Sequence, residues 1–291
     1  MAKNVDPRRD IWGALIADSE ETKTSLGAND AHFLFVGHEK CGKSSLLNSF
    51  FNRLEEPRPT LALSYQSCTL HVQEIEKILH FWELGGGMNL EKILSTIITP
   101  EIEKNFYVFV VLDLMNFSSI ETAMEWLPTI LRRFKSGFGG CFIAGTHYDE
   151  FEEKDPSFKA QIVNGIFSLC HQYGTGFFTF TPKFDSLISR FKSLIKSLLI
   201  PDVKKPERVS SHNGPTLTYP NDDVNGGETI QSFATFVKSE ALKQTTSNKQ
   251  KRNDGSINPD DPQYADEGID KVVREQSKIL DDKLKALIAS I

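Results

Sequence analysis

Residues 37–44 read Gly-His-Glu-Lys-Cys-Gly-Lys-Ser. The spacing G-x-x-x-x-G-K-[ST] belongs to loops that wrap a phosphate. The two glycines let the backbone turn tightly, so that consecutive N–H groups face one anion. Lys43 can reach the β- and γ-phosphates of a nucleotide, and the Ser44 hydroxyl can ligate Mg²⁺. Gly37, Lys40, Cys41, Gly42, Lys43, Ser44 and Ser45 are the expected nucleotide-binding residues of this stretch. Glu39 departs from the pattern: its carboxylate either turns to solvent or repels phosphate. Cys41 is either an oxidisable thiol or a filler.

A loop of this kind needs a strand before it and a helix after it. His32-Phe33-Leu34-Phe35-Val36 is an apolar, β-prone run, and Ser44 to Arg53 reads as the start of a helix. The N-terminus of that helix would add partial positive charge at the anion. Strand-like segments are expected at 32–37, 61–72, 77–84, 105–113, 140–146 and 176–181. Helix-like segments are expected at 43–53, 90–97, 119–135, 156–173 and 184–199. The short connection between 61–72 and 77–84 predicts an antiparallel hairpin. The other strands are joined by helical crossovers and must run parallel. The expected fold is therefore α/β: a small-GTPase-like domain with a six-stranded, mostly parallel sheet and helices on both faces. Its ligand would sit at the carboxyl ends of the strands.

The rest of a nucleotide site can be placed by order along the chain. Thr60, just before the second strand, stands where a switch threonine would sense Mg²⁺ and the γ-phosphate. Glu83-Leu84-Gly85-Gly86 stands where Asp-x-x-Gly is usual. Ser44, Thr60 and Glu83 are thus the expected metal ligands, and Gly86 offers a backbone N–H to the γ-phosphate. Gly87 follows, where a glutamine usually orients the attacking water. Thr146-His147-Tyr148-Asp149 replaces Asn-Lys-x-Asp, with Asp149 able to accept from guanine and His147 able to stack on it. Lys183, in Thr181-Pro182-Lys183, completes the expected set. GDP or GTP with Mg²⁺ is the expected cofactor.

The bulk composition narrows the class. A net charge of −6 argues against a nucleic-acid binder. No apolar run approaches the roughly 20 residues of a membrane span. The N-terminal ten residues hold no apolar core of a signal peptide, so secretion is not expected. Cys41, Cys68, Cys141 and Cys170 show no metal-binding spacing. Arg132 and Arg133, on a predicted helix, read as a solvated face. Four regions are expected: 1–30, a helical segment carrying Ile11, Trp12, Leu15 and Ile16; 31–200, the GTPase-like domain; 201–260, a polar linker with a short helix; and 261–291, a C-terminal helix. In the linker, Ile230, Phe233, Phe236, Val237 and Leu242 form an apolar island. In the last region Ile269, Val273, Leu280, Leu284, Leu287 and Ile291 form a one-sided stripe that has to be covered.

His80-Phe81-Trp82-Glu83-Leu84-Gly85-Gly86-Gly87, Pro59 to Tyr65, Asp261 to Asp266 and the Trp12 segment together resemble the light intermediate chain family of cytoplasmic dynein 2. The resemblance covers nearly the whole chain. It implies a non-catalytic subunit of the retrograde intraflagellar transport motor. Such a subunit binds the dynein heavy chain and other dynein 2 subunits, in the cytoplasm and cytoskeleton, at the cilium or flagellum and its basal body. It implies partner contacts through Asp261, Pro262, Tyr264, Leu280, Leu284 and Leu287. The segment between Asp113 and Cys141 is shorter than the family pattern implies. Two other readings stay open: a working GTP-hydrolysing switch, and an enzyme using nucleoside phosphates.

Overall fold

Phe33, Leu34, Phe35 and Val36 are successive and all buried. A strand achieves that only inside a sheet covered on both faces. In the computed structural model, β1 (Ala31–Gly37) lies between β3 (Ile75–Leu84) and β4 (Phe106–Asp113), parallel to both. β2 (Leu63–Val72) pairs antiparallel with β3, as the short connection predicts. β5 (Gly140–Thr146) and β6 (Gly176–Thr179) continue in parallel, giving the order β2-β3-β1-β4-β5-β6. The expected six-stranded, mostly parallel α/β sheet is the one observed. The structure describes residues 30–72, 75–135, 137–200, 202–224, 226–227 and 229–254. The expected N-terminal helix with Ile11, Trp12, Leu15 and Ile16 lies outside them, as do Asp261, Pro262, Tyr264, Leu280, Leu284 and Leu287.

Side chains alternate across the sheet. Leu34, Val36, Val108, Val110 and Leu112 face α3 (Phe117–Leu131) and α5 (Pro156–Tyr173). Phe33, Phe35, Phe109 and Val111 face α1 (Lys43–Phe50) and α6 (Asp185–Leu199). Rings of Phe33, Phe35, Phe81, Phe109 and Phe142 stack across this second face. Helices therefore cover both faces, and the carboxyl ends of the strands stay open for a ligand.

The differences from expectation have local causes. The first strand of the hairpin starts at Leu63, and β6 stops at Thr179, ahead of Pro182. The helix after the phosphate loop ends at Phe50. The segment 90–97 begins as a 3₁₀ turn, Gly87–Ile93, before one α turn, α2 (Leu94–Ile97). Gly86 and Gly87 enter it at φ 66° and 59°, which only a tight turn requires. Helix 119–135 is shifted to 117–131, because the Asn116 side chain accepts from the Ser118 N–H and caps it earlier. A short helix, α4 (Tyr148–Glu152), was not expected. Arg133 is not simply solvated: its Nη2 donates to Glu91 at 2.6 Å.

The largest difference is in 201–228, read as linker. Thr216, Leu217 and Thr218 are buried and run antiparallel to β6. Thr218 N–H donates to Phe177 O at 2.8 Å, and Thr179 N–H to Thr216 O at 3.1 Å. Val209 in turn exchanges both backbone bonds with Leu217. The polar composition hid this because the threonine hydroxyls accept from the sheet's own N–H groups, those of Phe177 and Thr216. The chain then enters α7 (Ile230–Asp254), longer than the short helix expected. Among its described side chains Phe233, Val237 and Ala241 are buried, whereas Leu242 is exposed. By contact the chain divides into one unit ending at Leu242 and another from Lys243. Among the described residues no helix is long and apolar enough to cross a membrane.

Candidate functional site

The phosphate loop leaves β1 at Gly37, whose φ of 150° and neighbours exclude a side chain: a Cβ would lie 2.1 Å from Val111 O. Lys40 and Gly42 are left-handed, at φ 58° and 88°. Left-handed residues alternating with ordinary ones make a backbone nest for an anion. α1 begins at Lys43 directly behind it. Lys43 is buried, and its ammonium donates to His38 O at 2.7 Å and Gly37 O at 3.3 Å. The cation is thus held across its own loop, where a phosphate would enter. Glu39 and Lys40 are exposed at the rim.

Cys41 turns away from the loop's mouth. Its thiol donates to Val111 O at 3.2 Å, and burial pushes its pKa up to about 11. A thiol so placed is a poor nucleophile, so the filler reading is the better one. Cys141 and Cys170 are buried too, and burial raises both.

Three oxygens converge beside the loop. Glu83, the last-but-one residue of β3, is buried; its Oε1 accepts from Ser44 Oγ at 2.5 Å and from Thr60 Oγ1 at 3.0 Å. The two hydroxyls are 3.5 Å apart. Adjacent ligands around Mg²⁺, with bonds of about 2.0–2.1 Å at right angles, stand roughly 2.9 Å apart. The triangle therefore fits one face of such a shell, and its members are hard oxygen donors. Ser44, Thr60 and Glu83 would hold the ion; what it would supply is positive charge against phosphate. Among the described residues no group of three or more His, Cys, Asp or Glu side chains could hold a metal.

The Thr60 segment is fastened at a second point. Gly85 N–H donates to Ala62 O at 2.7 Å. A Cβ on Gly85 would lie 2.1 Å from Thr60 O, so this glycine allows the approach. Gly86 lies beside it on the cavity wall, and nothing lies within 4 Å of where a Cβ on Gly87 would be.

The expected base-binding residues also come together. Thr146 closes β5, and its hydroxyl donates to Cys41 O at 2.7 Å, so it latches the phosphate loop to the sheet. His147 is left-handed at φ 54° and lines the cavity. Its Nδ1–H donates to Asp113, and that bond raises its pKa. Asp149 Oδ1 accepts from Thr181 Oγ1 at 2.6 Å, and Oδ2 faces Lys183 Nζ at 2.5 Å. Burial alone would raise the Asp149 carboxyl; the bonds from Lys183 and Thr181 outweigh it and hold it low. The carboxylate also accepts from its own backbone N–H, so most of its acceptor capacity is already engaged.

A cavity of about 470 Å³ is bordered by Lys40, Gly42 to Ser45, Thr60, Glu83, Gly86 and His147, whereas Thr146, Asp149 and Lys183 are not on its lining. On the wall formed by Pro57–Leu61, sequence reasoning named Thr60 but missed Pro57 and Arg58. Nothing in the motif spacing marks Arg58, which lies 14 residues beyond Ser44 in a loop. Gly85 was also missed, although the run of three glycines was a visible signal.

No family model matches the chain. Curated proteins do. "Cytoplasmic dynein 2 light intermediate chain 1" of Mus musculus is 24% identical over 237 residues, covering 66% of this chain and 67% of that one. The Danio rerio protein of the same name is 26% identical over 259 residues, 72% of each chain. The Homo sapiens one is 24% identical over 240 residues, 66% and 67%. Among solved structures, Methanosarcina barkeri Roco2 RocCORdC bound to GDP aligns with a TM-score of 0.45 and 22% identity, over 60% of this chain and 50% of that one. By its sequence, then, the chain is similar to the cytoplasmic dynein 2 light intermediate chains.

Proposed function

We propose that this protein is a non-motor subunit of a dynein 2 complex. It binds the dynein heavy chain and takes part in retrograde intraflagellar transport, at the cilium or flagellum and its basal body. The observation that carries this reading is the similarity over 237–259 residues to proteins all named as its light intermediate chain. The GTPase-like domain binds GDP or GTP with Mg²⁺; the complete phosphate loop and the Ser44–Thr60–Glu83 triangle support that. The C-terminal segment, with Asp261, Pro262, Tyr264, Leu280, Leu284 and Leu287, is the proposed anchor on the heavy chain.

Truncation after Gly255 tests the anchor. Each buried leucine or isoleucine contributes about 1.5–3 kcal/mol at most. Removing several should abolish a micromolar complex, worth roughly 8 kcal/mol. The full chain should co-purify with a heavy-chain tail and the truncated one should not. Undiminished co-purification would refute the anchor; no co-purification of the full chain would refute the subunit reading. A second reading, an active GTP-hydrolysing switch, is favoured by the nearness of Thr60 to Ser44.

A further inference from the structure

Arg58 lines the same cavity as the phosphate-loop residues Lys40, Gly42, Lys43 and Ser44. It is exposed, and none of the hydrogen bonds or ion pairs among the described residues engages it. Its mount is stiff. Pro57 has a fixed φ, and Pro59 forces the residue before it into an extended conformation. The mount is also anchored. Thr60, two residues on, is bonded to Glu83, and Glu83 to Ser44. Ala62 is bonded to Gly85. Two residues span at most about 7 Å of chain, so the Arg58 backbone cannot move far from the oxygen triangle.

The electrostatics call for a cation there. Glu39 and Glu83 both border the cavity; Lys40 stands beside Glu39 at the rim, and the charge of a Mg²⁺ held at Glu83 is shared with that carboxylate. Lys43 is already shared between two loop carbonyls. Gly87, the residue after Gly86 of the cavity wall, brings no side chain. The planar fork of a guanidinium suits two phosphate oxygens at once.

We propose that Arg58 is a built-in cation for the terminal phosphate of a nucleoside triphosphate, so that the site discriminates triphosphate from diphosphate. The proposal rests on the nucleotide reading above and adds to it the group that senses the third phosphate. In GTPases a cationic finger can come from the same chain or from a partner; here the geometry points to the same chain. Thr60 and Glu83 act on Arg58 as positioning residues, since they hold the segment that carries it.

The test is equilibrium binding of fluorescent GDP and of a non-hydrolysable GTP analogue, with Mg²⁺, to the full chain and to Arg58→Ala and Arg58→Lys. Arg58→Ala should leave GDP affinity within about twofold and weaken the triphosphate analogue by about tenfold or more, the loss of a charge-assisted bond. Arg58→Lys should fall between, because it keeps the charge and loses the fork. Unchanged GDP binding also reports that the variant is folded. Equal weakening of both nucleotides, or of neither, overturns the proposal while leaving the nucleotide site standing. Wild-type protein that binds neither nucleotide refutes the site itself, and the role of Arg58 with it.

Discussion

Phe233 offers a direct measure of how far the folded unit extends past the last helix of the GTPase-like core. It lies on α7, is fully buried, and packs on Gly165 of α5: a Cβ there would fall 2.1 Å from the Phe233 ring. A buried phenylalanine removes about 150–250 Å² from water. At about 25 cal/mol per Å² that gives roughly 4–6 kcal/mol as an upper bound. Phe→Ala in cores costs about 3–5 kcal/mol, so Phe233→Ala should cost about that much. For a unit of this size each kcal/mol lowers Tm by about 2–4 °C, a drop of roughly 6–20 °C in all. Circular dichroism melts and urea titrations read it. Gly165→Ala should destabilise from the other side, by about 1–3 kcal/mol of overpacking. The pair should be sub-additive, because truncating the ring leaves room for the new methyl. A loss below about 1 kcal/mol for Phe233→Ala, or strict additivity, would refute the packing of α7 on α5.

Lys43→Ala should weaken nucleotide binding at least tenfold, since a charged hydrogen bond contributes about 1.5–3 kcal/mol; an unchanged titration would show that Lys43 stays on its own carbonyls. Without a side chain at Gly87, isolated protein should hydrolyse GTP on the order of 10⁻⁴ per second; single-turnover release above about one per second would favour an enzyme. His32 is buried and stacked on His80, and burial, then His80, lower its pKa to about 4 from 6.5. The unfolded chain therefore binds more protons between those values, and stability should fall as pH drops from 6.5 toward 4, by roughly 3 kcal/mol. Urea midpoints across that range should show the slope, and His32→Phe should flatten it; an equal slope in both proteins would acquit His32.

The strands were legible because their burial is written in the sequence. Runs such as 33–36 and 108–112 are apolar and buried throughout, and helices cover both faces of the sheet they form. The phosphate loop was legible because its chemistry lies in consecutive residues. Ser44, Thr60 and Glu83 could be placed by order alone, and the structure brings them within hydrogen-bond range. What escaped were contacts set by the third dimension. Thr146 was expected near a base, but its hydroxyl reaches Cys41 O, 105 residues away in sequence. Thr216-Leu217-Thr218 was hidden by polar neighbours and by hydroxyls that do a sheet's bonding. The island at 230–242 was seen, but its inner face turns through Ala241 and not Leu242, because a helical step of four from Val237 lands there.

The short strand at Thr216–Thr218 has a consequence for assembly. It covers the β6 edge of the sheet from within the same chain, so that the outermost pairing on that side is a single bridge at Val209, a very short edge of the kind that discourages further strands. Among the described residues the other edge, β2, carries no further strand. Head-to-tail growth of such a sheet would need a long pairing edge at both ends, and the Val209 side does not offer one. In a crowded assembly that blunted side guards against open-ended, strand-by-strand fibres.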